Sequence, residues 1–265
     1  MRSTDGRLRP ARTVAAAATL VVLFVVAPAH LAGGDYTSEG ALRGAVRGAF
    51  AGFWGSGGGE LTPAMRRIAD YWLRYHLAKA VIAAVLLAVL VPLGVRLWRM
   101  YVGAPRRRLL LGGVLVTGLA LAALVLVMAN LQGAAAPFAS LLPLLVDTPP
   151  DAPLAAVLSD VRQQLTGVVH AHQAPSPALA RMIDDYALYH WVIAVIAAVV
   201  AAGLLSVGVV LWRRRGPSGP ARRVLAAHGV LFAVVALALA VVVAANVGTA
   251  LDPDPAFAAF IDGGW

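Results

Sequence analysis

Tyr75-His76 and Tyr189-His190 are the residues best equipped for chemistry in this chain. An imidazole beside a phenol can serve as a pH-responsive contact. Two imidazoles meeting at a common point are the minimum for a bis-histidine haem or half of a transition-metal site. The competing reading is an interfacial belt, because amphipathic rings settle at headgroup depth. A second pair, His170 and His172, alternates just before a helix breaker. By type it is a weak Cu(II) or Ni(II) chelator, and otherwise a solvated loop. His228 lies inside an apolar run and reads as a neutral ring bonded to a neighbouring helix. Arg67 and Asp70, like Arg181 and Asp184, are three residues apart. Each couple shares a helix face and predicts an outer ion pair worth under about 1 kcal/mol, or a polar seam. Asn130 and Asn246 are expected to satisfy carbonyls at helix C-termini.

These residues come in matched sets because the chain repeats. Thr62–Arg99 aligns without a gap to Ser176–Arg213 at a displacement of 114, with about half the positions identical. At a displacement of 116, Arg106-Arg107 maps to Arg222-Arg223, Gly113-Val114-Leu115 to Gly229-Val230-Leu231, and Ala129-Asn130 to Ala245-Asn246. Such self-similarity must be placed before a fold is assigned.

The elements that carry the repeat are apolar. The 265 residues are 60% hydrophobic and only 13% charged, against roughly 25% charged in soluble domains. Four runs, 77–98, 109–131, 191–212 and 224–247, each approach or exceed the roughly 20 residues that cross a bilayer as helix. They lack the two-residue alternation of a barrel strand. A shorter run, Thr13–Val26, follows four arginines and precedes Ala27-Pro28-Ala29. That order describes a signal peptide over 1–29, with an uncleaved transmembrane helix over 13–32 as the alternative.

The expected fold is thus an all-α polytopic membrane protein, a four-helix transmembrane bundle made of two tandem, same-orientation helical hairpins. Repeat 1 covers 30–131, with an outer segment over 30–76. Repeat 2 covers 132–247, with an outer segment over 132–190, and a tail over 248–265 follows. Within the outer segments, Ala41, Leu42, Ala45, Val46, Ala49, Phe50 and Phe53 recur at helical spacing, as do Leu154, Val157, Leu158, Val161, Leu165 and Val168. Thr62-Pro63 and Ser176-Pro177 are hydroxyl caps followed by Pro at the first helical position. From Pro63 to Trp98 is 36 residues, about 54 Å of helix, so the inward span outruns the bilayer core.

Charge orients the bundle. Arg96, Arg99, Arg106, Arg107 and Arg108 flank one hairpin, and Arg213, Arg214, Arg215, Arg222 and Arg223 the other. With the four N-terminal arginines, 14 of the 22 basic residues fall on one side, with Asp5 the sole acid among them. The positive-inside rule makes that side cytoplasmic and places the outer segments and C-terminus outside the cell membrane. The net charge of +9 is then topology, and nucleic acid is not an expected partner.

No serine elbow, HExxH, P-loop or dinucleotide fingerprint is present, and no carboxylate lies within a span. Cysteine is absent, which excludes thiolate sites. The leading expectation is therefore a non-catalytic protein with no cofactor, whose outer helices bind a partner protein, a second copy, or organise the envelope. A haem- or metal-binding protein using His76 and His190 is the alternative. A small channel or transporter is the third.

Overall fold

Two proline-led signals begin the two longest helices. Pro63 opens a helix whose first turn is held by Thr62: Met65 N–H reaches its Oγ1 at 3.4 Å and Arg66 N–H its carbonyl at 2.8 Å. Ser176 does the same ahead of Pro177, accepting from Leu179 N–H at 3.3 Å and Ala180 N–H at 2.8 Å. Proline costs nothing here because its missing N–H falls where helical N–H groups have no partner.

The computed structural model describes residues 5–34, 36, 38–146, 149–216 and 218–263, with side chains from residue 12 onward. The described residues form ten helices and no strand. They are α1 (Asp5–Ala32), α2 (Glu39–Gly55), α3 (Pro63–Gly103), α4 (Arg107–Ala135), α5 (Pro137–Leu141), α6 (Pro143–Val146), α7 (Ala152–Ala171), α8 (Pro177–Arg213), α9 (Gly219–Leu251) and α10 (Pro253–Ile261).

Five helices, not the expected four, are long and apolar enough to cross a membrane: α3, α4, α8, α9 and residues Arg12–Ala32 of α1. The N-terminal run is one uninterrupted helix through Pro28. At 41 residues, α3 is about 62 Å long, twice the hydrocarbon thickness. The segment assigned as the tail, 248–265, contains helix in its described part. Its start belongs to α9, and α10 follows, because Phe257, Phe260 and Ile261 recur at helical spacing and are buried.

The chain divides into two units. The span unit comprises Met1–Pro28, Leu77–Asn130 and Val195–Val243. Its buried core is small: Leu86, Leu90, Leu93, Val116 and Ala123, with Ala17 and Leu20 of α1 packed against it. Its surface is apolar, with Val199 and Leu237 each 68% exposed. Such a surface is untenable in water and ordinary in lipid. Because lipid supplies no hydrophobic drive between helices, close approach must hold them. Trp98 lies flat on Gly113, where an added Cβ would come within 2.8 Å of the indole, and Gly208 and Gly229 face each other. Lys79 Nζ sits 4.7 Å from the Phe24 ring of α1.

The core unit comprises Ala29–His76, Leu131–Ala194 and Ala244–Trp265. It buries a continuous cluster drawn from α2, α3, α5, α6, α7, α8 and α10, including Phe50, Phe53, Met65, Leu158, Met182 and Phe257. Both amphipathic stripes face this cluster. Ser38 caps α2, accepting from Ala41 N–H at 3.1 Å, and Asp151 caps α7, accepting from Leu154 N–H at 3.0 Å. Polar ties join the elements. Trp54 Nε1 donates to Asp160 at 2.8 Å. Arg162 donates to the Asp262 carboxylate and to Ile261 O, each at 3.0 Å, closing the C-terminus of α10. Arg74 Nε donates to Ala32 O at 2.7 Å and so ends α1.

Candidate functional site

The core unit holds both Tyr-His pairs, each enclosed by its own neighbours. His76 follows Trp72 by one helical turn on α3, so their rings meet edge to face at 4.7 Å, and Trp72 stacks on Tyr75 at 5.2 Å. Across from it, α4 offers Gly133. A Cβ there would lie 2.9 Å from the His76 ring, so only glycine lets the imidazole rest against that backbone.

His190 is held differently. Its Nδ1 lies 2.6 Å from Asn246 Oδ1 on α9, so with the amide oriented this way the ring carries its proton on Nδ1 and donates it. The Tyr186 ring meets it at 4.5 Å and Tyr189 at 5.7 Å. Gln132 adds a tie between α4 and α8, Nε2 donating to Tyr189 O at 3.1 Å. His76 thus makes ring contacts with Trp72 and its neighbour Tyr75, and His190 with Tyr186 and Tyr189. Among the described residues, no group of three or more His, Asp or Glu is placed to hold a metal.

The other sequence-marked residues are placed as follows. His172 is the C-cap of α7, in the left-handed region at φ 51°, and the following Gln173 N–H donates to Gly167 O at 3.2 Å. His170 is exposed in the last turn of α7 and lines a small pocket with Arg162 and Asp262. The expected outer ion pairs do not form. Arg67 and Asp70 are exposed and take no part in an ion pair among the described residues, and Arg66 instead meets Glu60 at 3.2 Å. Arg181 pairs with Asp185, not Asp184, at 2.8 Å. The reason is rotational: Asp185 is one turn along the same face and half-buried, whereas Asp184 points to solvent. Burial pushes the Asp185 carboxyl above its ordinary range, with Arg181 opposing that rise and the Asp184 charge adding to it.

The asparagines are not terminal caps either. α4 runs past Asn130 to Ala135, and α9 past Asn246 to Leu251. Asn130 Nδ2 bonds back to Leu126 O at 2.7 Å, and Asn246 serves His190. His228 of the span unit donates from Nδ1 to Val224 O on its own helix at 2.8 Å, where a neighbouring helix was expected. Its ring meets Trp98 edge-on at 4.9 Å.

Tyr186, Trp72, Gly133 and Gln132 complete these clusters without having stood out in the sequence. Tyr186 and Trp72 carried one usable signal, their place four residues before the two histidines. Chemically, the clusters hold two partly buried imidazoles among aromatic rings. No family model, no curated protein and no solved structure matches the chain.

Proposed function

We propose that this chain is a non-catalytic, multi-pass protein of the cell membrane whose outer helices bind a partner protein or a second copy. The observation that carries the reading is the core unit. Its helices bury a well-packed cluster of their own, far more than is needed to link spans. Their exposed faces keep Arg67, Asp70 and Asp184 free of ion pairs among the described residues. Exposed charges on a rigid platform are suited to recognition, and they contribute little to stability.

In this reading the tandem halves have the same orientation, with the arginine-rich hairpins cytoplasmic. The N-terminal helix is retained as a fifth span. Two contacts support retention: Ala32 is completely buried in the core unit, and its carbonyl is taken by Arg74. An intact-mass measurement of the membrane-extracted chain is expected to include residues 1–29.

The test is mild crosslinking of the full chain in native membranes, followed by mass mapping. The expected result is crosslinks from the faces of α3 and α8 bearing Arg67 and Asp184 to one defined protein or to a second copy, reduced by Arg67→Glu. A monodisperse monomer with no crosslink would sink the reading. A Soret band or stoichiometric metal in the native preparation would replace it with the histidine-ligated alternative.

A further inference from the structure

The span unit contains a cavity of about 620 Å³, within the range of roughly 300–1,000 Å³ typical of small-molecule sites. Residues of α3, α4, α8 and α9 line it, among them Leu90, Leu121, Leu204 and Phe232. Its wall is largely apolar, and most of the side-chain polar atoms in it are engaged within the chain. Trp98 Nε1 donates to Thr117 Oγ1 at 3.0 Å, Thr117 Oγ1 donates to Gly113 O at 2.8 Å, and His228 Nδ1 donates to Val224 O.

The exception is Arg99, which lines the cavity, is exposed and belongs to none of the ion pairs among the described residues. Among the described side chains, no carboxylate is paired with it. Residues 71–146 and 186–251 contain no Asp or Glu at all, yet they hold eleven arginines, ten of them clustered from Arg96 to Arg108 and from Arg213 to Arg223. A counter-charge for Arg99 is therefore left to a group from outside these segments. An occupant therefore needs a long apolar body and a single acidic end.

We propose that this cavity holds an acyl chain of an acidic amphiphile, with its phosphate or carboxylate against Arg99. The guanidinium suits either group, since both present paired oxygens to its fork of N–H donors. The site is distinct from the outer helices and does not depend on their having a protein partner.

Trp98 lines the cavity and reports on it. The full chain is reconstituted in phosphatidylcholine vesicles containing graded amounts of phosphatidylglycerol brominated on one acyl chain. Saturable quenching of the fluorescence component lost in Trp98→Phe is expected at low mole fraction. Arg99→Ala should weaken it about fivefold, the order expected for one basic contact to an acidic lipid, and Arg99→Lys should restore part of it. Ala120→Phe, which fills the slot and keeps the charge, should abolish it. Saturation by brominated oleate and not by the phospholipid identifies a free fatty acid as the source of the same chemistry. Quenching that merely follows mole fraction, alike for brominated phosphatidylcholine and phosphatidylglycerol and unchanged by Arg99→Ala, overturns the proposal. A second copy covering the cavity would give that same flat response.

Discussion

A hydrogen bond between two partly buried side chains matters most when one side is removed, because the other is left desolvated and unsatisfied. The 2.6 Å contact of His190 with Asn246 fits that description. Asn246→Ala and His190→Ala are each expected to lower stability by about 1 kcal/mol. His190→Phe combined with Asn246→Leu should recover part of the loss. Thermal unfolding of the solubilised chain reads all three, and strictly additive losses would mean that the two residues do not interact. The Arg181–Asp185 pair obeys a different balance. Burial raises the carboxyl despite the adjacent guanidinium, so its ionised form is disfavoured by folding. A raised acid contributes stability below its ordinary pKa of 3.8, and that contribution fades as pH climbs through the raised value. Asp185→Asn should therefore cost little at neutral pH and flatten stability in the acid range. Arg181→Ala should cost more, by leaving the carboxylate alone. Melting temperatures of both variants across acid and neutral pH check the sign.

Within single helices, glycines of identical propensity have different consequences. On α4, an added Cβ at Gly113 would strike the Trp98 indole at 2.8 Å, whereas at Gly118 it meets nothing within 4 Å. Helix propensity alone favours alanine at both by up to about 1 kcal/mol. Gly118→Ala should accordingly be neutral or stabilising, and Gly113→Ala destabilising, as read by unfolding in detergent. Equal behaviour would show that the indole does not press on that backbone. The aligned helices α3 and α8 also treat the same carbonyl position differently. Pro92 of α3 leaves Ala88 O without its usual N–H partner. At the aligned position of α8, the Ser206 hydroxyl donates to Ala202 O at 2.7 Å.

For the whole molecule, the absence of cysteine is an experimental asset, since any introduced thiol is unique. Cysteines at Thr62 and Ser176, just ahead of α3 and α8, are expected to react with a membrane-impermeant maleimide in intact cells. Cysteines at Ala104 and Gly216, in the arginine-rich hairpins, should react only after permeabilisation. The reverse pattern would invert the topology, and labelling of Thr62 without Ser176 would break the same-orientation reading of the two halves.

Local physics made much of this protein legible in the sequence. Long apolar runs mark helices able to cross a membrane, because run length and backbone satisfaction leave no other solution. Thr62-Pro63 and Ser176-Pro177 mark helix starts, because capping involves only the next few residues. The stripes of α2 and α7 revealed their buried faces through helical periodicity alone. What escaped depends on neighbours remote in sequence. Asp185 displaced Asp184 as the partner of Arg181 because packing of α8 decides which side faces inward. Asn246 proved a partner of His190, 56 residues away, and no spacing rule reaches that far. The short helices α6 and α10 hold their places through contacts with α2 and α7, and α5 through Phe138 against Phe53 of α2, which a linear pattern does not contain. The cavity beside Arg99 likewise exists only where four helices converge, since a void is a property of assembled surfaces and not of any segment that lines it.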